Sequence, residues 1–130
     1  MEANNIYVVE DDAVTREALA HLIRAFGWTV KTFSGAQECL NEVAKLPPAC
    51  ILTDLNMPQM NGAAMIETLR MQDPRLPIIA ITGVGDDAQL VKRAKAAGIT
   101  AVLSKPVMHH ELKKLLTDLL APNWTSWKIS

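Results

Sequence analysis

Five short apolar runs recur along the chain, at residues 6–9, 28–30, 50–52, 78–81 and 101–103. Each is too short for a helix. The first, third and fourth are continuously apolar rather than alternating, the pattern of strands covered on both faces in a parallel sheet. The segments between them carry helical spacing and recognisable ends. Residues 13–26 set Val14, Ala18, Leu22 and Phe26 four apart, behind the cap candidates Asp11 and Asp12 and ahead of Gly27. A second helix is expected from Ser34 and Gln37, in capping-box spacing, with Leu40 and Val43 on one stripe and an end before Pro47-Pro48. A third spans 62–71, turns Met65, Ile66 and Leu69 inward and halts at Asp73-Pro74. A fourth starts at Asp86, with Gln89 three residues on, buries Leu90, Val91 and Ala94, and closes at Gly98. The last, 108–120, places Leu112, Leu115, Leu116 and Leu119 at core spacing.

Strand then helix, five times over and without an internal repeat, predicts an α/β fold: a doubly wound parallel sheet with helices on both faces. Composition narrows this to one globular domain. Of 130 residues, 49% are hydrophobic and 21% charged, which argues against disorder and against a disulfide-stapled miniprotein. Lys and Arg number 13 against 14 Asp and Glu, so there is no global basic field for nucleic acid or membrane. Cys39 and Cys50 fall inside regular segments and read as buried free thiols, since their spacing supports neither zinc nor a structural disulfide. The first residues lack the basic start and apolar run of a secretion signal, and no apolar stretch approaches the roughly 20 residues that span a bilayer, so a cytoplasmic location is expected.

In doubly wound folds ligands bind outside the carboxyl ends of the strands. Here those ends carry Glu10-Asp11-Asp12, Thr53-Asp54, Thr82-Gly83 and Ser104-Lys105-Pro106. Carboxylates from adjacent strands repel one another by about 4 kcal/mol per pair at about 4 Å and an effective dielectric near 20, and need a cation to offset them. Mg²⁺ fits, because it takes one or two carboxylates plus waters and a phosphate oxygen. Lys105 supplies a fixed positive charge suited to a phosphoryl group and Thr82 a hydroxyl donor.

Taken in order, Val8-Val9-Glu10-Asp11-Asp12, the run from Thr53 through Asp54, Asn56 and Pro58 to Gly62, Ile81-Thr82-Gly83 and Ser104-Lys105-Pro106-Val107 resemble the receiver domains of bacterial two-component response regulators over residues 5–120. The resemblance implies a flavodoxin-like (βα)5 fold with strand order 2-1-3-4-5. It further implies that Asp54 is the phosphoacceptor and that Asp11, Asp54 and the Asn56 backbone carbonyl hold Mg²⁺, or Mn²⁺ in its place, with Glu10 acting through water. Thr82 and Lys105 then bind the phosphoryl oxygens, and the peptide bond before Pro106 is cis.

Implied partners are a sensor histidine kinase or histidine phosphotransfer protein, a downstream effector protein or output domain, and a second copy of the chain on phosphorylation, with no direct binding of nucleic acid and none of membrane. Switching is expected on the face of the fourth helix, fifth strand and fifth helix, although Val102 stands where receivers often carry an aromatic ring, and Val84 and Asn56 match positions that tune phosphate lifetime. Such a domain catalyses only its own phosphorylation and dephosphorylation. A phosphatase or phosphotransferase working through an aspartyl phosphate is the enzymatic alternative. Its signature places a second Asp two residues after the nucleophile, where this chain has Asn56. A flavin or dinucleotide carrier is disfavoured because Glu10-Asp11-Asp12 repels phosphate and no Gly-x-Gly-x-x-Gly follows the first strand.

Other conspicuous residues have simpler readings. Asp12, Asp86 and Asp87 read as caps, Lys92, Arg93 and Lys95 as a solvated helix face, His109-His110 as a helix start, and Met57 and Met60 as loop packing. The domain is expected over 1–120, with 121–130, including Trp124 and Trp127, as a tail or the beginning of a linker.

Overall fold

The computed structural model describes residues 5–57, 62–83, 85 and 88–120. Its elements alternate as expected: β1 (Asn5–Val9), α1 (Ala13–Ala25), β2 (Thr29–Phe33), α2 (Ala36–Lys45), β3 (Cys50–Asp54), α3 (Gly62–Gln72), β4 (Ile78–Thr82), α4 (Ala88–Ala97), β5 (Ala101–Ser104) and α5 (His109–Leu120). The five strands pair in parallel in the order β2-β1-β3-β4-β5, the flavodoxin-like arrangement. No helix among the described residues is long and apolar enough to cross a membrane.

Alternation along the strands divides the core in two. Tyr7, Val9, Ile51, Ile78 and Ala80 pack against α2, α3 and α4 through Cys39, Ile66, Leu69 and Ala94. Ile6, Val8, Leu52, Ile79 and Ile81 face the other way, onto Leu19 and Ile23 of α1 and Leu112 and Leu116 of α5. β1, β3 and β4 lie in the middle of the sheet and are buried on both sides, which is why their sequences are continuously apolar; β2 and β5 at the edges alternate. Cys39 and Cys50 are free and buried, Cys50 against the α1–α5 side of the sheet.

Three local expectations need correction. The inward face of α1 is Leu19, Ala20 and Ile23, and Val14 is 79% exposed. A series spaced by four residues drifts about 40° around the helix per step, so Val14 and Phe26 cannot share one face. At α2 the cap is Gly35 rather than Ser34, with no side-chain cap bond. Ser34 Oγ instead donates to Glu38 Oε1 at 3.1 Å and Gln37 Nε2 donates to Asn41 Oδ1 at 3.0 Å. The second strand starts at Thr29 and runs to Phe33, later and longer than the apolar run, because an edge strand buries only alternate residues. Gly27 and Gly98, each with φ 103°, stop α1 and α4 as expected. Val84, Asp86, Asp87, Met60, Trp124, Trp127 and the segment 121–130 lie outside the described residues.

Candidate functional site

Winding reverses between β1 and β3, since β2 lies on one side of β1 and β3 on the other. That reversal opens a crevice at the carboxyl ends of the strands. Glu10 follows β1 directly. Its N–H donates to the Phe33 carbonyl at 3.0 Å, which turns the side chain inward until the residue is 1% exposed. Asp12, the next residue but one, caps α1: its Oδ2 accepts from the Thr15 N–H at 2.9 Å and the Thr15 hydroxyl at 2.6 Å. These bonds hold its carboxyl below the usual range.

Asp54 closes β3 and is 4% exposed. Its Oδ1 accepts from the Asn56 N–H at 3.1 Å and its Oδ2 from Lys105 Nζ at 3.1 Å. Lys105 follows β5, where its backbone N–H donates to the Thr82 carbonyl at 2.7 Å, and the Lys105–Pro106 peptide is cis. Thr82 itself ends β4, half-buried and paired in register with Ser104. Oxygens of Glu10, Asp11 and Asp54 lie within 4.8 Å of one another, with Asp11 exposed at the mouth and the other two buried beneath. The structure thus gathers Glu10, Asp11, Asp54, Asn56 and Lys105 into one crevice and sets Thr82 at its rim.

Charge balance in this crevice is incomplete. Lys105 stands 3.3 Å from Glu10 Oε1 and 3.1 Å from Asp54 Oδ2. Burial pulls its ammonium toward neutrality, but the hydrogen bond and charge of Asp54 and the charge of Glu10 outweigh that and raise it. Among the described residues, one ammonium faces three carboxyl groups. Burial, followed by the Asp54 charge, pushes Glu10 from an ordinary 4.5 up to about 7, even though the Asp12 N–H donates to its Oε2 at 3.1 Å. Glu10 Oε1 is buried, and among the described residues it is reached by the Lys105 ammonium at 3.3 Å, which it shares with Asp54 and with which it forms no well-directed hydrogen bond. A buried carboxylate oxygen that shares its one cation with a neighbouring acid, beside two further carboxylates, suits a small hard cation or the water it carries, so the residues present fit Mg²⁺.

The raised value carries a stability consequence. Below about 4.5 Glu10 is protonated in folded and unfolded chains alike; between about 4.5 and about 7 only the unfolded chain ionises it, so stability falls as pH rises through that window. Thermal melts of metal-free protein are expected to drop across this range, and Glu10→Gln to flatten the drop. An identical slope in both proteins would refute the account.

Arg16 carries a role that the sequence reading missed. From the first turn of α1 its Nη1 donates to the Glu10 carbonyl at 2.9 Å and to the Asp11 carbonyl at 3.4 Å. Beside the crevice, Val14, Ala18, Leu22, Pro106 and Val107 line a mainly apolar groove to which Lys105 also contributes. Of the simpler readings, three agree with the structure: Arg93 pairs with Glu67 at 2.6 Å while Lys92 and Lys95 are exposed, His109 opens α5 with its ring 5.1 Å from that of Phe26, and Met57 is buried.

The family model of the response regulator receiver domain matches residues 6–117. Among curated proteins the chain is 39% identical over 107 residues to the response regulator protein TmoT of Ectopseudomonas mendocina, covering 82% of this chain and 48% of that one. It is 37% identical over 110 residues to the response regulator protein TodT of Pseudomonas putida, covering 85% and 48%. The chain spans about half the length of these curated relatives. Among solved structures it resembles the chemotaxis protein CheY4 of Vibrio cholerae, with a TM-score of 0.81, 27% identity, and coverage of 91% of this chain and 99% of that one.

Proposed function

Because this chain belongs to the response regulator receiver domain family, we propose that it accepts a phosphoryl group on Asp54 from a phosphohistidine of a sensor histidine kinase or histidine phosphotransfer protein, and passes the signal to an effector protein or output domain. The observation that carries this reading is the placement of one buried carboxylate, Asp54, between a lysine ammonium and two further acids at the sheet's switch point.

In the proposed reaction a carboxylate oxygen of Asp54 attacks phosphorus, the bond from phosphorus to the donor imidazole nitrogen breaks, and the imidazole leaves with that electron pair. Such a transfer asks of the protein alignment and compensation of charge more than covalent work. Asn56 and Lys105 hold the two oxygens of Asp54 in fixed directions, so the nucleophile is pre-aimed. Lys105 compensates charge on the incoming phosphoryl oxygens, and the Thr82 hydroxyl binds one of them. Asp11, Asp54 and the Asn56 carbonyl would hold Mg²⁺ or Mn²⁺, with Glu10 acting through a water. When bound, that ion neutralises the acids and polarises the phosphoryl group. The mainly apolar groove that Lys105 helps to line gives a protein donor a surface to rest on next to the nucleophile. Once phosphorylated, the crevice holds added negative charge, and Thr82 and Gly83 shift toward whichever arrangement best compensates it. The face of α4, β5 and α5, where Val102 is exposed, then presents a changed surface to the effector or to a second copy.

Incubation with a small phosphodonor and Mg²⁺ is expected to add one phosphoryl group per chain by intact mass, and chelation of the metal to abolish it. Equal labelling with and without chelator would rule out the metal-dependent reading, and no labelling at saturating donor and Mg²⁺ would rule out phosphoacceptance.

A further inference from the structure

Among the charged side chains outside the crevice, Arg16 alone among those described binds the backbone that carries two of its acids. Its guanidinium, half-buried, spans from the first turn of α1 to the carbonyls of Glu10 at 2.9 Å and Asp11 at 3.4 Å. Its own backbone N–H donates to the Asp12 carbonyl at 2.9 Å, so the turn that the guanidinium embraces is also the turn that starts the helix. Within that turn the acids hold themselves only partly: the Asp12 N–H secures Glu10 Oε2, whereas no group of the described turn donates to Glu10 Oε1, which meets only the Lys105 ammonium from β5 at 3.3 Å. Mutual repulsion among Glu10, Asp11 and Asp54 pushes the turn outward. A cation bonded to both carbonyls resists that push from behind, without occupying a carboxylate oxygen that a metal would need.

We infer that Arg16 is a positioning residue, clamping the Glu10–Asp11 backbone so that both carboxylates stay converged for Mg²⁺. The inference rests on the proposed metal-dependent phosphoacceptor reading and adds a residue to it. It makes a prediction opposite in sign to that of charge alone. As a bare positive charge near the cluster, Arg16 weakens cation binding, and its removal tightens it; as a clamp, its removal lets the acids part and weakens binding.

The test is calorimetric titration of the full chain with Mg²⁺ alone, for the natural protein, Arg16→Gln and Arg16→Lys, alongside thermal melts without metal. Loss of such a supporting hydrogen-bond partner weakens metal affinity by about tenfold or more, which is the change expected for Arg16→Gln. Arg16→Lys, which keeps the charge and can reach one carbonyl, is expected to recover part of that loss. In phosphorylation by a small phosphodonor, Arg16→Gln should need a higher Mg²⁺ concentration for half-maximal rate while approaching the natural rate at saturation. Unchanged or tighter Mg²⁺ binding in Arg16→Gln, whatever the melting temperature does, would overturn the clamp. Absence of Mg²⁺ binding by the natural protein would instead overturn the metal reading itself, so the two failures are distinguishable.

Discussion

Asp54→Asn is expected to lose phosphoryl incorporation from a small phosphodonor to background, a fall of about a hundredfold or more, while remaining folded. The amide is nearly isosteric but lacks the anionic oxygen that attacks phosphorus. Folding should survive because the terms removed are of similar size and opposite sign. Above about pH 7, where Glu10 ionises, its repulsion with Asp54, whose oxygens lie within 4.8 Å, is about 3.5 kcal/mol at an effective dielectric near 20, and Asp11 at the exposed mouth adds a screened share. Attraction between Asp54 and Lys105 at 3.1 Å is about 5 kcal/mol on the same scale, reduced by solvent at an ammonium that is 35% exposed. The metal-free melting temperature should therefore change little, and its rise on adding Mg²⁺ should shrink because one ligand is gone. Mass spectrometry checks the chemistry and thermal melts check the fold. Phosphate retained at the natural level on Asp54→Asn would place the acceptor elsewhere.

The residues of this crevice were legible in the sequence because each is a polar residue closing an apolar strand. Glu10 follows Ile6–Val9, Asp54 ends β3, Thr82 ends β4 and Lys105 follows β5, and parallel strands send all their carboxyl ends to one edge. Continuous apolar runs likewise marked β1, β3 and β4 as the centre of the sheet. What escaped the sequence depends on three-dimensional reach. The inward face of α1 needs the true helical angle, so the series beginning at Val14 drifts to solvent. The cap of α2 slipped from Ser34 to Gly35 because the serine hydroxyl found the Glu38 carboxylate instead of a backbone amide. Arg16 gave no periodic signal, since it folds back onto carbonyls six and five residues earlier rather than onto a helix face. Nor does any pattern reveal that Glu10 Oε1 must share the Lys105 ammonium with Asp54, because this depends on every group packed around it.

Gly62→Ala is the substitution from which the largest loss of both stability and function is expected outside the acids themselves. Gly62 opens α3, and its N–H donates to the Leu55 carbonyl at 2.8 Å, fastening the helix to the segment just beyond Asp54, the proposed nucleophile. A methyl group there would sit 2.6 Å from the Asp54 carbonyl oxygen and 2.8 Å from Leu55 Cα. Both are backbone atoms, so no side-chain rotation relieves the contact; either α3 retreats or the end of β3 moves. Overpacking of this kind costs about 1–3 kcal/mol, here at the residue whose carboxylate must be aimed. Misplacing a nucleophile by a fraction of an ångström is expected to slow phosphorylation by about tenfold, beyond any effect of unfolding. Gly27→Ala supplies the contrast. At φ 103° with nothing within 4 Å of the added methyl, it pays only the backbone strain of the left-handed region, about 1–2 kcal/mol, and it lies at the opposite end of α1 from the crevice. Thermal melts should therefore fall for both variants, whereas phosphorylation measured well below the melting temperature should fall for Gly62→Ala alone. Parallel loss of labelling in both, or natural labelling in Gly62→Ala, would show that the close approach of α3 to Asp54 does not set the nucleophile's position.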